Sequence, residues 1–280
     1  MSWRRALLAK RFENGRLSAR DLLRIIAAGL RGAGLDISDE DVDRWRNTHS
    51  RLRVGTQLRR DEMLLLALMS SENRAALALS RHFPGGRTAF LAQMNRKAAA
   101  LGMANTHFAD SAGLSNQSMS TANDLHKLLN AAYSRPLIRS YTTQVESTVV
   151  AKGRLLTFIN SNRLVRSSDN WDIELQKTGF TNEAGRCLVM QVNVKQRRLA
   201  MIFLDSNGTM TRYADAARVR KRVEREAGGI VLRLGIVFRA GDEKGRMVRV
   251  HDVAGLGPNN RRKCGGRFPA FPECLGDVAG

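Results

Sequence analysis

One stretch limits what this chain can fold into more than any other: Asp61 to Phe83, DEMLLLALMSSENRAALALSRHF. Its apolar residues recur at helical spacing (Leu64, Leu65, Ala67, Leu68, Ala75, Leu79), and Ala and Leu are the strongest helix formers. Pro84-Gly85-Gly86 ends the run. In its middle, however, stand four consecutive polar residues, Ser70, Ser71, Glu72 and Asn73. Buried polar groups need partners. The pattern therefore predicts a helix that breaks at Ser70–Asn73 and presents a short polar knuckle from a buried support, a good place for a site.

Helical signals dominate on both sides of this stretch. Leu22 to Leu30 reads as an amphipathic helix with Ser18 as a plausible N-cap and Asp21 favouring its start. Thr88 to Leu101 reads as another, with Gly102 placed to end it. Thr121, with Asp124 three residues on, caps a third that carries Leu125, Leu128, Leu129 and Ala132. After Arg135-Pro136 the period changes. Ser147 to Phe158 alternates and is rich in Thr and Val, and Trp171–Gly179, Arg186–Val194 and Leu199–Leu204 read as strands, the last two a hairpin through Lys195–Arg198. Thr211 to Glu226 is a final helix, with Ala214, Ala217, Val219 and Val223 available to lie on the sheet. The expectation is an α+β fold over 35–226, a basic segment at 1–34, and a basic, Gly-rich, poorly ordered tail at 227–280 that could hold one hairpin.

Charge narrows the partners. Lys and Arg number 46 against 26 Asp and Glu, a formal net charge of +20, which suits a polyanionic neighbour. The arginines are scattered singly, without the interleaved aromatics that stack bases, so no specific nucleic acid is expected. The three cysteines, Cys187, Cys264 and Cys274, form no even disulfide framework and no zinc spacing, although Cys264 and Cys274 could pair in an oxidising compartment. No cofactor is implied. No run of 18 apolar residues exists, and the N-terminus lacks the apolar core of a signal peptide.

Two tripeptides matter together: Ser71-Glu72-Asn73, which interrupts the central helix, and Lys177-Thr178-Gly179, which ends the first strand of the later sheet. A Ser-x-Asn arises by chance about once in a chain of this length, whereas Lys-Thr-Gly is expected in roughly one such chain in fifteen. Serine penicillin-recognising enzymes place these two motifs across a cleft from each other. A substrate ending in a carboxylate requires a cation and hydroxyl donors, and an acyl-transfer intermediate requires N–H groups aimed at its oxyanion.

From about Asp36 to Glu224 the chain resembles the serine-type D-alanyl-D-alanine carboxypeptidases and endopeptidases of the low-molecular-mass penicillin-binding proteins, most of all the DD-endopeptidase branch. The segments that carry the resemblance are SRLRVG at Ser50, LLLALMSSENRAA at Leu64, FPGG at Phe83, MNRKAAALGMANTHFADSAGLS at Met94, STANDL at Ser120 and DNWDIELQKTGFTNEAGRCLVM at Asp169. The resemblance implies a penicillin-binding-protein/β-lactamase-like transpeptidase fold and a periplasmic, peripherally membrane-associated hydrolase. Such an enzyme cleaves D-Ala-containing bonds of peptidoglycan stem peptides through an acyl-enzyme and takes β-lactams as covalent inhibitors. It also assigns roles. Ser71 matches the proton-shuttling serine and Asn73 the amide that orients substrate and the nucleophile's lysine. Lys177 and Thr178 match the receivers of the terminal carboxylate. Gly179 lets substrate backbone approach, and the N–H of Phe180 matches one oxyanion donor.

The departure is the family's Ser-x-x-Lys, which supplies nucleophile and base: none occurs in the 280 residues. The nearest substitute is Ser18 with Asp21 in the lysine's place, which would bring negative charge to a site for an anionic substrate. The fold is accordingly expected to be incomplete at its N-terminal side and the activity impaired. The alternative is an inactive remnant that binds peptidoglycan or another polyanion. Ser168-Asp169-Asn170 spells a related motif but leads directly into the Lys177 strand, so it cannot face it.

Overall fold

A computed structural model describes residues 34–225 and a strand at 235–239. The Leu22–Leu30 helix, the Ser18/Asp21 pair, the Cys264/Cys274 pairing and most of the expected tail lie outside these residues. The central stretch folds as two helices, α1 (Arg60–Met69) and α2 (Asn73–Arg81), divided at Ser70–Glu72. The buried seam is not formed by the leucines that the pattern singled out. Met63, Leu66, Met69, Ala75 and Ala78 are the fully enclosed residues, while Leu64, Leu65, Ala67, Leu68 and Leu79 are only partly buried. With nearly every position of α1 apolar, sequence periodicity could not say which stripe faces inward; the neighbours decide. These neighbours are Leu35 and Ile37, Leu52, Leu58, Val149 and Phe158, which complete the core of the helical lobe.

Two short strands, β1 (Leu35–Asp36) and β2 (Gln57–Leu58), pair antiparallel ahead of α1. Helix α3 (Gly86–Ala100) is followed by Gly102 at φ 69°, the left-handed stop that the sequence signalled. Helix α4 (Ala122–Tyr133) begins at Thr121, whose hydroxyl accepts from Asp124 N at 3.2 Å. The next element departs from expectation. Pro136–Thr143 is a helix, α5, with Pro136 in its first turn, where the missing N–H costs nothing. Its eight residues are too few to show a helical period, and its two threonines satisfy their hydroxyls on Arg139 O at 3.1 and 2.8 Å. The alternating Ser147–Phe158 segment is a hairpin, β3 (Glu146–Ala151) and β4 (Arg154–Ile159). Lys152 and Gly153 turn it with φ of 49° and 74°.

The main sheet runs β5 (Asp172–Thr181), β6 (Gly185–Val194), β7 (Arg197–Ser206) in antiparallel order, and a parallel β8 (Gly235–Arg239) lies on β7. The β6–β7 turn is the two residues Lys195-Gln196, both at positive φ. Helix α6 (Thr211–Arg225) covers one face, burying Tyr213, Ala216, Val219 and Val223 on Leu188, Met190, Val192, Leu199, Met201 and Phe203. Of the four residues expected there, Val219 and Val223 are in place, but Ala214 is exposed and Ala217 only partly buried. The helix is rotated relative to the alanine stripe because Tyr213 offers more apolar area than Ala214. Leu129 of α4 packs on the opposite face, against Leu175 and Ala200, with Ile138 of α5 beside them. Strands covered on both faces read as nearly continuous apolar runs, as LVMQV and LAMIFL do.

Candidate active site

The knuckle between α1 and α2 is held by backbone geometry first. The Leu66 carbonyl accepts from Ser70 N (3.1 Å), Ser70 Oγ (2.8 Å) and Glu72 N (3.2 Å), so the helical path ends there. Ser71 sits at φ 57°, left-handed backbone that a side chain occupies at a cost of about 1–2 kcal/mol. Glu72 then restarts the helix as N-cap of α2, its Oε2 accepting from Ala75 N at 2.8 Å while Oε1 accepts from Ser50 Oγ. Asn73 Nδ2 donates to Thr48 Oγ1 at 3.1 Å. All four polar residues that interrupt the apolar pattern thus have partners.

Strand β5 lies opposite. Lys177 Nζ donates to Ser71 Oγ in a short contact and to Thr178 O at 2.9 Å. Two motifs 106 residues apart in sequence thereby meet. Lys177 is not fully buried as a residue, but its ammonium is deeply enclosed. Burial, with the Arg212 guanidinium nearby, pushes its pKa down to about 8 from an ordinary 10.5. Arg212 itself is 6% exposed and donates to the carbonyls of Gly179 (3.0 Å) and Cys187 (2.9 Å), where β6 slips register against β7. It holds the end of the Lys-Thr-Gly segment in place.

A third segment, absent from the sequence argument, joins the two. Ser161 follows β4; its N–H donates to Met69 O at 3.0 Å, and its Oγ lies 2.7 Å from Thr178 Oγ1 and 3.4 Å from Ser71 Oγ. Next to it, the fully buried Asn160 donates to the carbonyls of Thr142 (2.9 Å) and Gln144 (2.7 Å). Its Oδ1 accepts from Gln176 Nε2 (2.9 Å) and Asn162 N (2.9 Å). The unpredicted helix α5 therefore anchors the loop that carries Ser161. The run Asn160-Ser161-Asn162, three small polar residues after an apolar strand, was the available signal.

Ser71, Asn73 and Ser161 also line a cleft of about 420 Å³ whose walls add His49, Arg51, Phe158 and Arg166. The Arg51 guanidinium lies 4.1 Å from the Phe158 ring centroid. The lining holds two guanidinium groups, Arg51 and Arg166, against one carboxylate, Glu72, so its balance of charge is positive. Gly179 is exposed at the strand surface, and a Cβ there would meet only Cys187 Cβ, at 3.7 Å. Nothing inside the protein requires glycine at this position. Phe180 is 55% exposed, with Arg186 stacked 4.3 Å from its ring. Asn170, from the decoy motif, instead lines a separate recess of about 250 Å³ with Trp171, Asn193 and Arg220. Among the described residues no group of three or more His, Cys, Asp or Glu could hold a metal ion, and no helix is long and apolar enough to cross a membrane.

The profile of the D-alanyl-D-alanine carboxypeptidase family matches residues 33–208. The chain belongs to this family. It is 46% identical over 192 residues to a D-alanyl-D-alanine endopeptidase of Pseudomonas aeruginosa and 45% identical to one of Escherichia coli. Each match covers 68% of this chain and 62% of the relative, so the chain spans about three fifths of the length of these proteins. A mutant of the Streptomyces K15 DD-transpeptidase superposes with a TM-score of 0.61 at 26% identity, over 68% of this chain and 78% of that one. The α+β fold is thus that of the penicillin-binding DD-peptidases. A shorter profile, described as a phage tail tube protein, matches residues 5–52, most of which precede the described residues.

Proposed function

We propose that this chain recognises D-alanyl-D-alanine-type stem peptides of peptidoglycan and is a serine-type carboxypeptidase/endopeptidase of the periplasm, of the kind that cleaves them through an acyl-enzyme, with its own cleavage impaired because the nucleophile and base of Ser-x-x-Lys are absent from these 280 residues. The observation that carries the reading is the contact of Lys177 with Ser71 across the groove between helical lobe and sheet. In this reading Lys177 and Thr178 receive the terminal carboxylate, a charge-assisted hydrogen bond being worth about 1.5–3 kcal/mol. Ser71 shuttles the proton between attacking and leaving groups. Asn73 orients the peptide, bare Gly179 admits its backbone, and the N–H of Phe180 faces the oxyanion. The cationic cleft walls suit a substrate of this charge.

The lowered pKa of Lys177 sets the pH dependence. A carboxylate binds the ammonium, not the amine, so affinity is full below about pH 8 and falls as pH rises through that value. Lys177→Ala removes the dependence and weakens binding about 10- to 100-fold, from the worth of a charge-assisted bond.

The absence of Ser-x-x-Lys from these 280 residues favours a second reading, recognition without acylation. Incubation with a fluorescent penicillin separates the two. Label that survives denaturation identifies an acylating enzyme. Saturable peptide binding that is lost in Lys177→Ala, without such label, identifies a binding protein. Neither label nor Lys177-dependent binding rules out both.

A further inference from the structure

Ser161 has no role in the reading above, yet its hydroxyl occupies the point where the two motifs join. Its Oγ is within 2.7 Å of Thr178 Oγ1 and 3.4 Å of Ser71 Oγ, and 3.2 Å from Met69 O. Lys177 has no acceptor atom, so its bond to Ser71 leaves the Ser71 proton free to point elsewhere. Each hydroxyl has a single proton, so a row of them must run in one direction. With the Thr178 proton turned toward a carboxylate, Thr178 Oγ1 is left as acceptor for Ser161, and Ser161 Oγ becomes acceptor for Ser71. Without a carboxylate, Ser161 can donate to Met69 O, and the row loses its direction.

We propose that Ser161 is a positioning residue that transmits occupation of the carboxylate pocket to the Ser71 hydroxyl, through the row Lys177, Ser71, Ser161, Thr178. The inference rests on the carboxylate-receiving role of Lys177 and Thr178 given above. Hydrogen bonds in a row polarise one another, so the row is strongest when an anion sits at its end. The device makes Ser71 ready only when a peptide with a free C-terminus is bound, and it selects carboxylate over amide ends. No bond is made or broken in the process; protons only reorient.

The test is an NMR titration of isotope-labelled protein with an N-acetylated tripeptide ending in D-alanyl-D-alanine and with its C-terminal amide. Wild type is expected to favour the acid, and Ser161→Ala to reduce that preference by about three- to tenfold, the worth of one ordinary hydrogen bond. Ser161→Thr, which keeps the hydroxyl, should restore it. Thr178→Val removes the direct donor to the carboxylate as well as the row, so it should lose at least as much preference, and adding Ser161→Ala to it should cost little more. Equal weakening of acid and amide by Ser161→Ala would reduce Ser161 to a structural pin and overturn the relay. An undiminished preference in Ser161→Ala would also overturn it, while leaving the carboxylate pocket intact. A wild type that does not distinguish acid from amide would sink the carboxylate pocket, and the relay with it.

Discussion

The two sides of the groove are built differently. The strand side, Lys177 to Gly179, belongs to a ten-residue strand paired along β6 and backed by α5, and the buried Arg212 of α6 holds the Gly179 carbonyl. The knuckle side, Ser70 to Glu72, has no ladder. A saturated carbonyl, a left-handed serine and a few side-chain bonds to Thr48 and Ser50 hold it. One side is positioned by cooperative packing and the other by individually weak polar contacts. Where such contacts do the positioning, the backbone carries a strained residue, and Ser71 is that residue.

This contrast can be broken by substitution, and the largest effect should come from the strand side. Arg212→Met removes the donor to two carbonyls at the register slip and should cost about 2–4 kcal/mol of stability by chemical denaturation, since buried acceptors left unpaired are expensive. The same change removes the positive charge near Lys177, so the Lys177 pKa should climb from about 8 toward 10.5 in an NMR titration of the lysine side chains. If both stability and titration are unmoved, the clamp is not what holds the strand end.

On the knuckle side the effects should be smaller. Glu72→Ala removes the N-cap of α2 and the partner of Ser50, with an expected loss of about 1–2 kcal/mol in the same denaturation experiment. A loss as large as that of Arg212→Met would erase the distinction between the two sides. The smallest effect is a difference between two variants. Ser71→Gly and Ser71→Ala both take the acceptor from Lys177 and weaken function, but only glycine relieves the left-handed backbone, so Ser71→Gly should be the more stable of the two by about 1 kcal/mol. If Ser71→Gly melts no higher than Ser71→Ala, the strain is not a cost the site carries.

Strong local signals made parts of the fold legible. The break at Ser70–Asn73, the Thr121 cap, the Gly102 stop and the three long strands each rest on residue types whose chemistry acts within a few positions. Helix α5 was missed because eight residues with two threonines, one Pro and no clear period resemble a connection more than a helix. The buried seam of α1 and the inward face of α6 were misplaced because several stripes of each helix are apolar enough, and only packing partners choose among them.

By itself the sequence determined which short motifs could do chemistry and set each in or beside a regular element, because caps, breaks and strand periods are local properties, although β5 runs on to Thr181, past the expected end at Gly179. Tertiary structure alone decided that Lys177 reaches Ser71, that Ser161 stands between Ser71 and Thr178, and that Arg212 lies beneath Gly179. These contacts join segments 17 to 106 residues apart. No local preference encodes them; they follow from how two packed cores fix the strand and the broken helix on either side of one groove.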